Sequence, residues 1–355
     1  MEKKIKILVI DDSHLARESL KKAFSTDEEL SVIATANDPY EAVRELRKNV
    51  PDVITLDLHM PRMDGLTFLK KLMQQHPIPV VVISSLTQSG RETALRALEY
   101  GAAEVITKPR IVSNKDFNEN SIKLCRSVKA ASKANIRILK RHVDHNQAKN
   151  VDNVAAFHPD SSKVVIAMGA STGGTETIKK VLLGLPENTP GIVITQHMPA
   201  GFTNQFATRL NNELTLNVKE AESGDEVIPG RVLIAPGDKH MYLVKSGGKF
   251  RVEVKAGELV NRHMPSVDEL FDSVAKVAKD HAIGVLMTGM GKDGAKGLLH
   301  MKKSGAITIA QDEASCVVFG MPKEAIRMGA TDFVTPLNEI PGKIKEQVEK
   351  KIKVK

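Results

Sequence analysis

Short apolar runs alternate with stretches of helical period from the start of the chain. KIKILVID leads into a helical pattern over 15–24, SVIATA into one over 40–48, and VITLDL into one over 66–74; PVVVISS and a helix over 92–100 follow, then AEVITKP. Apolar strands separated by single helices predict a doubly wound parallel α/β sheet. After Pro109 the chain turns polar. Residues 122–139 keep helical spacing with Lys and Arg outward, and 142–162, including HVDHNQAKNVDN, show no period, as an exposed linker would.

A second α/β series follows: KVVIAMGA, GIVITQHM, RVLIAPG, AIGVLMTGM, AITIAQ and DFVTP, with helices predicted over 175–183, 267–279, 294–303 and 322–328. MYLVKSGGKFRVEV breaks the plan, because alternating residues around Ser246-Gly247-Gly248 predict a β-hairpin inserted in the parallel sheet. The expected architecture is therefore two doubly wound parallel-sheet domains. Their boundaries are expected at 1–125 and 163–355, with 126–162 as a basic helical extension and linker.

Length agrees with two cores, since 355 residues exceed what one usually supports. Two cysteines, Cys125 and Cys316, have no metal-ligand spacing and fit ordinary thiols in a reducing cytoplasm. The basic start is followed by an apolar run too short for a signal peptide, and no run reaches the length of a membrane span. The net charge of +8 invites a nucleic-acid reading. Its location argues otherwise: residues 123–149 hold eight Lys or Arg and one acid, and 343–355 hold six Lys and two Glu. The excess is thus expected in a connector and a tail rather than on a face that tracks phosphates, and neither nucleic acid nor membrane insertion is expected.

Chemistry-bearing residues gather at strand ends. Asp11 and Asp12 end the first strand, Asp57 the third, Ser84 the fourth and Lys108, before Pro109, the fifth. Carboxyl ends of parallel strands share one edge, where three carboxylates repel unless a hard divalent cation lies among them. Asp57 is then placed to attack a phosphoryl group. Any one Asp alone is equally well a turn or cap; the set is not. Residues 1 to about 125 resemble a two-component receiver domain of flavodoxin-like topology. The resemblance implies phosphorylation of Asp57 by a chemotaxis histidine kinase. It also implies Mg²⁺ held by Asp11, Asp12, Asp57 and the His59 carbonyl, with Ser84 and Lys108 as switch residues. One departure is Val105, where many receivers carry an aromatic switch residue.

The loop VVIAMGASTGGTE fits neither phosphate-binding template: no Lys follows its glycines, and no acidic ribose partner ends the next strand. A sharp strand-to-helix turn at Ser171 remains, and it exposes a hydroxyl. A nucleophilic serine needs a base and an orienting group. His197 ends GIVITQHM and Asp293 follows AIGVLMTGMGKD, so three strand ends deliver Ser, His and Asp to one rim. Taken singly, Ser171 reads as a helix cap, His197 as a turn residue and Asp293 as a cap.

GASTGG, QHMP, the PG of IAPGDKH and TGMGKDGAKG resemble the catalytic domain of the chemotaxis protein-glutamate methylesterase (CheB) family. That resemblance implies Ser171 as nucleophile, His197 as general base, Asp293 as its orienting carboxylate, an oxyanion site at the Met290 N–H and support from Thr172. It implies hydrolysis of methyl esters, and deamidation of glutamines, on methyl-accepting chemotaxis receptors, with no cofactor in the esterase domain and a cytoplasmic location. An unphosphorylated receiver is expected to cover the Ser171 rim and phosphorylation to release it. Two rival readings are a non-catalytic regulator that binds protein or nucleic acid, and a hydrolase of small soluble esters.

Overall fold

The computed structural model describes residues 4–60, 62–85, 87–108, 114–144, 157 and 163–353. Pro109 and most of the expected linker over 142–162 lie outside the described residues. The chain divides into two compact units, Met1–Ala148 and Lys149–Lys355.

In the first unit five parallel strands lie in the order β2-β1-β3-β4-β5: β1 (Ile5–Ile10), β2 (Leu30–Ala36), β3 (Val53–Asp57), β4 (Val80–Ser84) and β5 (Glu104–Thr107). Ile7 to Ile10, Val53, Ile54 and Val80 to Ile83 are buried on both faces of the sheet, which is why these runs read as continuously apolar. The helices are α1 (His14–Phe24), α2 (Pro39–Lys48), α3 (Gly65–Gln75), α4 (Gln88–Glu99), α5 (Asn114–Ser132) and α6 (Ile136–Asp144). Four begin at side-chain caps: Ser13, Asp38, Asp64 and Thr87 each accept a backbone N–H of the following turn. The cap at Thr87 starts α4 four residues before the apolar period becomes visible at 92. Residue 125 falls inside α5, whose Val128 and Ala131 are buried, so the segment expected as a basic extension from 126 is in part this unit's own helix.

The second unit holds a seven-stranded parallel sheet in the order β14-β13-β12-β6-β7-β9-β8. Its strands are β6 (Val165–Ala170), β7 (Ile192–Gln196), β8 (Asn217–Glu220), β9 (Arg231–Ile234), β12 (Ala282–Leu286), β13 (Ile307–Gln311) and β14 (Phe333–Thr335). The expected hairpin is present as a separate antiparallel pair, β10 (His240–Ser246) and β11 (Lys249–Lys255), with His240 opposite Lys255. The helices are α7 (Gly174–Leu183), α8 (Phe202–Glu213), α9 (Val267–Val277), α10 (Ala295–Lys303), α11 (Met321–Arg327) and α12 (Ile340–Lys353). α9 and α10 pack closely because Gly297 of α10 faces Phe271; a Cβ there would lie 2.7 Å from the Phe271 Cβ.

Three elements were not expected from the sequence. β8 is a short polar edge strand in which only Val218 is fully buried, too little for an apolar run. α8 buries Phe202, Phe206 and Leu210, a four-residue spacing hidden among Asn, Gln and Thr. The lysine-rich C-terminus expected as a tail is α12, which buries Ile340, Ile344 and Val348 along one stripe. Each such burial contributes about 1.5–3 kcal/mol, so much of the charge assigned to a tail stands on the outer face of a docked helix. Cys125 and Cys316 are free and buried, and burial raises the pKa of both thiols.

Candidate active site and phosphoacceptor site

Both sheets change winding direction at an inner strand, and such switch points open a crevice beyond the carboxyl ends. In the second unit β6 lies between β7 and β12, and the three expected residues follow these strands. Ser171 is tied by its own N–H to the Thr288 carbonyl (2.9 Å), while its carbonyl accepts from Gln196 Nε2 (2.9 Å). The Thr288 hydroxyl donates to the Thr172 carbonyl (3.0 Å) and accepts from the Val318 N–H (2.9 Å). The serine loop is thereby fastened to β7, β12 and the 312–320 loop before α7 begins. Gly173 takes φ 76° at the N-cap of α7, the left-handed turn that lets the strand reverse into the helix.

His197 sits one residue beyond the Ala170↔Gln196 register pair, and its N–H donates to the Ala170 carbonyl (3.1 Å), so it is the neighbour of Ser171 across the sheet edge. Its Nε2 donates to Asp293 Oδ2 at 2.8 Å. Its Nδ1 is buried and has no hydrogen-bond partner. The structure therefore joins the expected base and the expected orienting carboxylate and places Ser171 on the adjacent strand end, without a hydrogen bond between the Ser171 hydroxyl and the ring. Catalytic hydrogen bonds are commonly long until substrate is bound.

Asp293 is 1% exposed and surrounded by donors. Oδ1 accepts from Asn261 Nδ2 (2.8 Å), the Ser266 hydroxyl (2.7 Å) and the Asp268 N–H (3.3 Å); Oδ2 accepts from the Val267 N–H (2.7 Å) as well as from His197. Burial pushes its pKa up, but the hydrogen bond and charge of His197 and the Asn261 and Ser266 donors outweigh it and hold the carboxyl well below its ordinary range. Asp293 thus occupies the N-terminus of α9, as an anion at a helix start should. Asp268, its buried neighbour, goes the other way: burial raises its pKa despite the Gly297 N–H, the Asp293 charge adds to that, and the Asn261 amide lowers it in part.

Met290 lies in the turn after β12. The Gly289 N–H donates to Val318 and the Gly289 carbonyl accepts from Gly320 and Met321, which braces this turn against the start of α11. No backbone acceptor takes the Met290 N–H among the described residues. A Cβ on Gly289 would lie 2.6 Å from the Ser171 Cβ, so the turn meets Ser171 directly.

Sequence reasoning missed Asn261, His263 and Ser266, which lie between the hairpin and α9, and Asp268 in the first turn of α9. The signal was present but misleading. Ser266-Val267-Asp268-Glu269 is a capping-box pattern, yet Ser266 makes no side-chain cap and turns instead to Asp293, whose carboxylate takes the cap's place. His240 was also missed; its Nδ1 accepts from the Ser266 N–H (3.2 Å) and its Nε2 donates to the Glu258 carbonyl (2.8 Å).

In the first unit Asp11, Asp12 and Asp57 bring carboxylate oxygens within 4.8 Å of one another at the β1/β3 switch point. Lys108 Nζ lies 2.8 Å from both Asp11 Oδ2 and Asp57 Oδ2. Burial disfavours the ammonium, but the two carboxylates outweigh it and raise the Lys108 pKa. Burial also raises that of Asp11, beyond what Lys108 and the Ser13 N–H pull back. One lysine thus leaves the acidic cluster undercompensated, and three hard oxygen donors fit Mg²⁺. The His59 N–H donates to Asp57 Oδ1 (3.1 Å). Ser84 is buried and donates to the Gly90 carbonyl (2.9 Å) rather than to Asp57. Val105 is buried in β5.

The two units thus define a receiver with an acidic pocket at its sheet edge and a parallel α/β unit with a Ser, a His and an Asp at one sheet rim. Residues 7–114 match the response regulator receiver domain family and residues 166–344 match the CheB methylesterase family. A protein-glutamate methylesterase/protein-glutamine glutaminase of Anaeromyxobacter dehalogenans is 53% identical over 343 residues, 95% of each chain. One of Geobacter metallireducens is 50% identical over 95% of this chain and 97% of its own. The Thermotoga maritima CheB methylesterase catalytic domain superposes with a TM-score of 0.51 at 43% identity, covering 54% of this chain and 99% of that one. The chain belongs to the protein-glutamate methylesterase/protein-glutamine glutaminase (CheB) family.

Proposed function

We propose that the chain is a phosphorylation-controlled serine hydrolase that removes methyl esters from glutamyl side chains of methyl-accepting chemotaxis receptors and deamidates receptor glutamines in the cytoplasm. The Ser171 hydroxyl attacks the ester carbonyl carbon while His197 Nδ1, the nitrogen not engaged by Asp293, takes its proton. The same nitrogen returns the proton to the departing methanol, and water then attacks the acyl-serine by the reverse path. An amide follows the same course with ammonia leaving. Asp293 holds the ring tautomer and offsets the imidazolium charge. The Met290 N–H is the proposed oxyanion donor, with Thr172, next to Ser171 in the chain, in support; losing one such donor costs about 10²-fold to 10³-fold in turnover.

The observation that carries this reading is the His197–Asp293 hydrogen bond at the strand end next to Ser171. The catalytic unit needs no cofactor for these steps. In the receiver, Asp11, Asp12, Asp57 and the His59 carbonyl are the residues that would hold Mg²⁺, which neutralises phosphoryl oxygens when bound. Asp57 accepts the phosphoryl group from a chemotaxis histidine kinase, Lys108 pairs with it, and Ser84 exchanges its Gly90 partner for the new oxygens. In mass spectrometry of a methylated receptor fragment, methanol release should depend on Ser171 and rise with a small phosphodonor and Mg²⁺. A Ser171→Ala chain retaining a tenth of wild-type release would overturn the assignment.

A further inference from the structure

The hydrogen bond from His197 to Asp293 fixes one edge of the imidazole but leaves its plane free to swing about that contact. A second ring closes this freedom. His263 stacks on His197 with ring centroids 3.5 Å apart and planes inclined by 12°. His263 ends a tight turn closed at both ends, since the Val260 N–H donates to the His263 carbonyl (3.1 Å) and the His263 N–H to the Val260 carbonyl (2.9 Å). Its two central residues both take positive φ, 51° at Asn261 and 67° at Arg262. That is the pattern of a type I′ turn, where Asn suits the first position and Gly the second. Arg262 stands where Gly belongs, a conformation that persists only when its surroundings enforce it.

The same turn also reaches the carboxylate. Asn261 Nδ2 uses both its hydrogens on buried acids, one on Asp293 Oδ1 (2.8 Å) and one on Asp268 Oδ2 (2.7 Å). Asp268 in turn is anchored by the Gly297 N–H (2.7 Å). A single four-residue turn therefore grips both members of the His–Asp pair, the ring by its face and the carboxylate by its back.

We propose that the Val260–His263 turn is a positioning device for general base and carboxylate, with His263 holding the plane of His197 and Asn261 holding the angle of Asp293. Neither residue exchanges a proton with substrate. The inference rests on the hydrolase reading for its kinetic consequence, but its geometric content stands apart from it. With the ring free to swing, Nδ1 faces the Ser171 hydroxyl in only part of the population, so turnover falls while binding is spared.

The test uses the full chain with phosphodonor and Mg²⁺. His263→Ala should lower kcat about 10-fold to 100-fold with KM within about twofold of wild type. His263→Phe, which restores a flat ring without nitrogen, should recover most of the rate. In proton NMR the downfield His197 Nε2–H signal should be present in wild type and His263→Phe, and broadened or lost in His263→Ala and Asn261→Ala. A kcat within about twofold of wild type for His263→Ala, or a His263→Phe chain as slow as His263→Ala, overturns the proposal. Should His263→Ala fail to fold, His263→Phe and Asn261→Ala decide: full rate and signal in the first with loss in the second supports it, and the reverse overturns it. If wild type itself does not hydrolyse the receptor, the hydrolase reading fails. The NMR signal then still judges the turn, because an unchanged resonance in His263→Ala refutes it.

Discussion

Gly289→Ala adds one methyl group at the point where the Met290 turn meets Ser171, the proposed nucleophile. The new carbon would lie 2.4 Å from the Met321 sulfur, 2.6 Å from the Ser171 Cβ and 3.1 Å from the Ser171 nitrogen. Carbon atoms in contact sit about 3.5–4.0 Å apart, so about 1 Å must be found. Met321 has rotatable bonds, but it is fully buried and has little room to yield. The Ser171 Cβ cannot rotate away at all, because it is bonded to a backbone held by the Thr288 carbonyl and the Gln196 amide. The serine itself must therefore shift, away from Gly289 and out of its present alignment with its neighbour His197.

Overpacking of this kind costs about 1–3 kcal/mol of stability, and an ångström of misplacement at a nucleophile costs about 10²-fold in rate. Methanol release from methylated receptor fragment gives kcat, and thermal unfolding gives the stability. The expected result is a folded protein with kcat down about 100-fold. Gly342→Ala, in open space in the first turn of α12, is the matched control: it should stabilise by up to about 1 kcal/mol and leave the rate unchanged. A Gly289→Ala enzyme with lowered melting temperature but wild-type kcat would show that strain is relieved elsewhere, and the direct contact argued from Ser171 would be refuted.

Asp293 is depressed in the folded chain, so its stabilising contribution is present above the ordinary carboxylate range near about pH 4 and is lost as pH falls toward its folded value. Asp268 is raised, so its contribution is present below that range and is lost as pH rises through its folded value. Asp293→Asn should thus flatten the acid limb of stability in urea unfolding measured between about pH 6 and 3, and an unchanged limb would contradict the hydrogen-bond account. Ile344→Ala should cost about 2–5 kcal/mol because α12 buries that side chain fully; a loss under half a kcal/mol would return the segment to the status of a tail. Removal of residues 1–148 should raise basal hydrolysis and abolish the response to phosphodonor; lower activity in a well-folded truncate would argue against restraint by the receiver.

The legible parts of the sequence were those in which one physical signal dominates. Strands buried on both faces, such as VVVIS (Val80–Ser84), announce themselves by apolarity alone. Ser171, His197 and Asp293 were legible because parallel strands oblige their carboxyl ends to share an edge. What stayed hidden was structure whose signal is divided. α12 spreads its apolar residues four apart among five lysines, so charge masked period. β8 buries Val218 alone. The turn at 260–263 holds no glycine at its second central position, so no turn rule marks it, and its role depends on β11, α9 and β12 arriving together. Asp11, Asp12, Asp57 and Lys108 converge as their strand ends require, while Ser84 does not yet face Asp57, because its hydroxyl already has a carbonyl partner at Gly90.

Both proposed sites have an aspartate at a sheet rim, and the difference in their surroundings fits them to different proposed work. Asp293 has five donors on two oxygens, two of them from the start of α9. So many hydrogen bonds stabilise the anion and occupy its lone pairs, which makes it a poor nucleophile and a dependable orienting group. Asp57 has the His59 N–H on one oxygen and Lys108 near the other, a lysine it shares with Asp11. Its lone pairs are less fully engaged, and beyond Lys108 the charges beside it are Asp11 and Asp12, acids that favour a cation. Had the first carboxylate been left so thinly held, it would compete with Ser171 for electrophiles; had the second been so fully held, no phosphoryl group would find it. In this chain the supply of N–H donors, more than residue type or position on the sheet, suits Asp293 to the proposed orienting role and Asp57 to the proposed phosphoacceptor role.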